Sequence, residues 1–172
     1  MPGLGGSGAE HWQTAWERRF PRHVRVEQHD WDHPDLETWL RVLEGAITAA
    51  GEPVAIAAHS LGCALVAHAA RRAPALPVRA ALLVAPADVD SPAHTPPETR
   101  GFAPMPLVRL PFPATVIASR NDPYVTPERA RAFAAAWGAT FVDAGGLGHI
   151  NAASGLGDWP EGHAQLLALL AR

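Results

Sequence analysis

In the stretch "VAIAAHSLGCALVAHAA" an apolar run ends at Ser60 and a helical pattern begins at the next residue. Ala58 and Gly62 lie two positions before and after the serine. A strand-to-helix turn sharp enough to expose a nucleophilic hydroxyl needs small residues at those two places, since larger side chains would collide across it. Ala58 stands where the strict pattern has glycine. Taken alone, Ser60 fits a plain helix N-cap equally well. A hydroxyl becomes a nucleophile only with a base to take its proton and an acid to hold that base in the right tautomer. Asp122, in "ASRNDPYV", and His149, in "VDAGGLGHINAASG", each follow a short β-rich run, and sites on parallel sheets collect at the carboxyl ends of strands. Separately they read as a turn aspartate and a loop histidine. Together, three such positions in the order Ser, Asp, His predict a triad: Ser60 attacks, His149 moves the proton, and Asp122 orients the imidazole.

Acyl transfer at Ser60 would generate an oxyanion that needs two backbone N–H donors. Leu61, next to the nucleophile, supplies the first. The second is expected from the glycine-rich opening "MPGLGGSGAEHW", with Leu4 the donor. That opening also contains Gly3-x-Gly5-x-x-Gly8, the glycine pattern of a dinucleotide loop, with Glu27 about where a ribose-binding acid would fall. No strand precedes the loop to support the dinucleotide pattern, and acyl transfer at Ser60 gives the loop a better use, so the match is read as coincidental and no cofactor is expected.

These residues must be held by a scaffold. The β-rich runs are Val24 to Gln28, Val54 to His59, Arg79 to Ala85, Ala114 to Ser119 and Thr140 to Asp143. Helical patterns alternate with them: Leu36, Trp39, Leu40, Leu43 and Ile47 after the cap Asp35, then Leu61 to Arg72, Pro127 to Trp137 after the cap Thr126, and Pro160 to Ala171. The alternation predicts a three-layer α/β/α sandwich with a mainly parallel sheet. The Pro-rich connection from Asp88 to Pro113 reads as a long irregular loop, and its Phe102, Met105 and Leu107, with Trp159 beside the histidine loop, are the expected substrate walls.

The chain has 172 residues, 48% of them apolar, enough for a single domain with one good core. Its net charge of -3 and lack of a basic run argue against nucleic acid or an anionic membrane as partner. All 14 basic residues are arginine, to which no function is attached. The single cysteine, Cys63, excludes an internal disulfide and a cysteine-built zinc site; it is expected to be buried and inert, although a helix's first turn can lower a thiol pKa. Neither a membrane-spanning run nor a signal-peptide pattern is present, and the cytoplasm is the expected compartment. The cluster His29, Asp30, Asp32 and His33 could suggest a metal, but side chains at those spacings on a strand end point apart, so none is expected. His59 is read as a packing residue, and most of the tryptophans as core.

The segments "PGLGGSGAEHWQTAWE", "QHDWDHPDLETWL", "AHSLGC", "LLVAPADVD", "ASRNDPYV" and "WGATFVDAGGLGHINAASGLGDWPEG" resemble, across nearly the whole chain, the small serine hydrolase family of the α/β-hydrolase superfamily, which includes retinoblastoma-binding protein nine. The resemblance implies a compact fold without a large cap domain and a triad on Ser60, Asp122 and His149, but no substrate. It also implies an apolar strand ahead of Pro2-Gly3. Its absence here leads to the expectation that the natural chain starts upstream, and that neighbouring ladder groups lack partners. The expected activity is hydrolysis of a carboxylic ester, or an amide or thioester, of a small molecule. Two other readings stay open: a non-catalytic protein-interaction module on the same fold, and the dinucleotide-binding oxidoreductase.

Overall fold

The computed structural model describes residues 1–171. Four strands, β1 (Val54–His59), β2 (Val78–Val84), β3 (Ala114–Ala118) and β4 (Thr140–Asp143), form a parallel sheet in that order. Each strand alternates its side chains between two apolar layers, as a sheet covered on both faces must. On one face Ile56, Ala58, Ala81, Leu83, Val116 and Ala118 pack under α2 (Leu36–Ala49), α3 (Leu61–Arg72) and α4 (Pro127–Trp137). On the other, Ala80, Leu82, Val84 and Ile117 pack under α1 (Trp12–Arg19) and α5 (Pro160–Leu170). This is the expected three-layer sandwich, and it places the carboxyl ends of β1, β3 and β4 along one rim.

The helix starts follow the capping logic of the sequence. Asp35 Oδ1 accepts from Thr38 N at 2.8 Å, and Thr126 Oγ1 from Arg129 N at 3.2 Å, each satisfying an amide that the first helical turn leaves open. The helix α1 lacks such a signal, because its cap is His11, whose Nδ1 accepts from Gln13 N at 3.2 Å. The sequence reading had no helix there.

Val24 to Gln28 is not a strand. A β run needs a ladder partner, and the edge of β1 beside Ala57 to His59 is taken by the start of the chain and by a glutamine. Met1 N donates to Ala57 O at 2.7 Å, and His59 N donates to Met1 O at 3.0 Å. Gln13 Nε2 bridges the same two carbonyls, at 3.1 Å each. Val24 to Gln28 is instead anchored by side chains: Arg25 to Glu17, Thr14 Oγ1 and Ser7 O, and Gln28 to Trp39 O.

Candidate active site

Ser60 sits between β1 and α3 with φ 54° and ψ -122°, a conformation that costs a non-glycine residue about 1–3 kcal/mol. Small neighbours make the turn possible. Ala58 is fully buried beneath it. A Cβ on Gly62 would lie 2.6 Å from both Met1 O and Pro2 O, so this position accepts no side chain while the opening loop rests against α3. The serine hydroxyl does not cap α3. Its Oγ lies 2.8 Å from His149 Nε2.

His149 Nδ1 lies 2.9 Å from both oxygens of Asp122. The Asp122 carboxylate is completely shielded from solvent, and Oδ1 also accepts from Tyr124 N at 2.9 Å. The turns carrying the two residues are laced together. Asn121 Oδ1 accepts from Gly148 N at 2.7 Å, and Ser119 Oγ accepts from Leu147 N at 2.8 Å. An aspartate facing Nδ1 leaves the Nε2 lone pair directed at Ser60, which is the arrangement a general base requires.

The opening loop packs directly on this turn. A Cβ on Gly3 would stand 2.9 Å from Leu61 N and from Ser60 Cβ. Gly3 to Gly6 form a turn closed by Gly6 N to Gly3 O at 3.0 Å, with Gly5 at φ 73° and bonded to Trp31 O at 2.9 Å. Leu61 N opens α3 and has no preceding helical carbonyl to bond. The loop is therefore part of the serine site. Glu27, its proposed ribose partner, has an exposed side chain 3.7 Å from Arg25.

Of the four expected substrate walls, three are buried. Phe102 is fully buried, edge-on to Trp39, with its carbonyl 2.8 Å from His68 Nε2. Met105 is buried in the same core, its amide donating to Asp90 Oδ1 at 2.8 Å. Leu107 is half exposed but follows Pro106, whose carbonyl is held by Trp137 Nε1 at 2.8 Å. Trp137 ends α4 just before β4 begins, at the amino-terminal rim of the sheet. Trp159 packs between Trp12 and Trp16 in the second core. Phe102, Met105 and Trp159 thus have their side chains committed to the core in this structure. The aromatic that does meet the site is Tyr124, partly exposed, with its ring centroid 4.4 Å from that of His149. Its place two residues after Asp122 was the available signal.

Around His149 the other histidines are held neutral. Burial pushes His11 down to about 4, helped by the charges of Arg25 and His149, and pushes His59 well below the ordinary range. Burial also drives the Cys63 thiol upward, so the first turn of α3 does not activate it. Asp30, from the suggested metal cluster, is committed to a turn: Oδ1 accepts from Asp32 N and His33 N at 2.9 Å each, and Oδ2 lies 3.1 Å from His33 Nδ1. Among the described residues, no helix is long and apolar enough to cross a membrane.

The lowered His11 value has a consequence for stability. A histidine that titrates lower in the folded chain than in the unfolded one binds its proton preferentially on unfolding, so stability falls as pH drops from about 6.5 to about 4. We expect His11 alone to account for about 3 kcal/mol of that loss. Urea unfolding at pH 7 and pH 4.5 checks it: His11→Asn should narrow the difference between the two midpoints, the remainder coming from groups such as His59, and an unchanged difference would contradict the assignment.

A parallel sheet between two helical layers, with a strained serine at the first strand's end and an aspartate and histidine on later turns of the same rim, defines an α/β-hydrolase. The model of the serine hydrolase family matches residues 1–168, and the chain belongs to that family. Among solved structures, a YdeN-like hydrolase of Pectobacterium atrosepticum is 34% identical, with TM-score 0.86 over 98% of this chain and 86% of that one. The ydeN gene product of Bacillus subtilis is 20% identical, with TM-score 0.75 over 99% of this chain and 96% of that one. Est1E of Butyrivibrio proteoclasticus shares the fold at 15% identity and TM-score 0.72, over 99% and 86% of the two chains. The search among curated proteins gave no match. The protein is thus a hydrolase.

Proposed function

We propose that the protein hydrolyses a carboxylic ester of a small molecule through an acyl-enzyme on Ser60. The observation that carries this reading is the continuous contact from Ser60 Oγ to His149 Nε2 and from His149 Nδ1 to Asp122. His149 takes the Ser60 proton as Oγ attacks the acyl carbon, then returns it to the leaving alcohol. Water repeats the sequence to release the acid. Asp122 stabilises the imidazolium formed in each half. The amides of Leu4 and Leu61 hold the oxyanion, and the close approach of Gly3 to Leu61 N supports that pairing. Tyr124, against the His149 ring, supplies one wall of the acyl or alcohol site.

Labelling with a fluorophosphonate, followed by turnover of p-nitrophenyl esters of increasing acyl length, tests the reading. Covalent labelling that disappears in His149→Ala supports it. A folded wild type that neither labels nor hydrolyses any ester overturns it in favour of a binding module on a hydrolase fold. Tyr124→Ala should shift the acyl-length preference while leaving labelling intact. Gly3→Ala should lower kcat about 100-fold, because its methyl presses on Leu61 N and the Ser60 Cβ and forces the loop, with Leu4 N, away from the turn. Wild-type kcat in Gly3→Ala would remove the opening loop from the mechanism.

A further inference from the structure

The residue after His149 poses a question that the triad does not answer. Ile150 is fully buried and has φ 48°, a conformation from which a β-branched side chain is normally excluded. Something must hold the chain there. Two side chains from outside the loop do so, each by one backbone carbonyl. His59 Nε2 lies 2.8 Å from His149 O, and because a carbonyl only accepts, Nε2 carries the proton. Trp12 Nε1 donates to Ile150 O at 2.9 Å. Both donors are rigid and nearly solvent-free, His59 at 5% exposure and Trp12 at 1%. One turn further along α1, Trp16 Nε1 donates to Asp158 O at 2.7 Å, fixing the far end of the same loop.

We propose that His59 and Trp12 are positioning residues for the base, acting through the two carbonyls that flank the strained Ile150 linkage. The inference rests on the reading of His149 as the base. The bonds of the His149 ring to Asp122 and to Ser60 Oγ set its azimuth; the carbonyl clamp fixes where its Cα stands. His59 precedes the nucleophile in β1, so the strand that delivers Ser60 also delivers the group that holds its base. That makes the separation of Ser60 Oγ and His149 Nε2 a property of one short segment of backbone rather than of two independent loops. Small misplacements of reacting groups are costly, on the order of 100-fold for about 1 Å. Hydrogen bonds to loop carbonyls are therefore worth more here in rate than in stability.

The test uses Trp12→Phe, which keeps the ring and removes the N–H, together with His59→Phe and the donor-retaining His59→Gln. Active-site titration with fluorophosphonate normalises every rate to competent protein, so loss of folded material does not count. Trp12→Phe and His59→Phe should each lower kcat per titrated site about 10-fold to 100-fold with KM little changed. The far-downfield proton resonance of His149 Nδ1–H against Asp122 should broaden in both. His59→Gln should recover most of the rate and the resonance. Variants that keep wild-type kcat per site and a sharp resonance overturn the clamp, as does His59→Gln behaving like His59→Phe. Turnover that survives Ser60→Ala and His149→Ala would instead overturn the underlying reading of the base. That outcome is separable, because it is measured in chains whose clamp is intact.

Discussion

Ser60→Ala should reduce ester turnover by about a million-fold and abolish covalent labelling, leaving only the residual rate that binding and oxyanion contacts provide. The size of the effect follows from what the hydroxyl does. Without Oγ no acyl-enzyme forms, and the His149 Nε2 lone pair, 2.8 Å from that oxygen, has no proton to accept. Stability should move the other way or not at all. An alanine methyl fits the space of the hydroxymethyl group, and the serine side chain caps nothing in α3. A kcat measurement paired with a thermal melt separates the two: lost turnover with an unchanged or raised Tm is expected, whereas preserved turnover would move the nucleophile to another residue.

The second large effect is expected at Asp122→Asn, about 10,000-fold in kcat with the fold intact. The argument depends on one backbone amide. Tyr124 N can only donate, and it points at Oδ1 from 2.9 Å, so an asparagine must place its oxygen there. Its Nδ2 then faces His149 Nδ1, which must become an acceptor. The imidazole proton moves to Nε2, where it blocks acceptance of the Ser60 proton. Asp122→Ala should behave differently, since it removes the wrong-tautomer trap together with the orienting group. The pair of kcat values distinguishes a tautomer effect from simple loss of charge, and a near-wild-type Asp122→Asn would refute the assignment of Asp122.

Most of the scaffold was legible because its elements carry local signals. Asp35 and Thr126 mark helix starts by side-chain chemistry that needs no tertiary context, and β1 and β4 appear with the bounds read from their composition. Ser60, Asp122 and His149 come together for a related reason: Ser60 directly follows β1, while Asp122 and His149 lie on the loops that leave the carboxyl ends of β3 and β4, and those ends share one rim of a parallel sheet. Val24 to Gln28 failed because strand formation depends on a neighbour, and composition says nothing of whether one is present. The burial of Phe102 and Trp159 was not legible, because a large aromatic in a loop looks the same whether it faces a substrate or a core. His59 was read as packing, and it is indeed buried, but its ring nitrogen has a specific partner 90 positions away that no spacing rule reveals.

The contacts from α1 to the far end of the chain also bear on how this protein acquires its reactivity. The indole of Trp12 reaches a carbonyl 138 residues downstream, and that of Trp16 one 142 residues downstream. Such closures carry the largest loop entropy in the molecule and are expected late in refolding. A nascent or partly refolded chain can thus display its serine turn without a competent base beside it. Hydrolysis becomes a sign of completed synthesis: in refolding experiments, labelling should appear no earlier than the slowest change in tryptophan fluorescence.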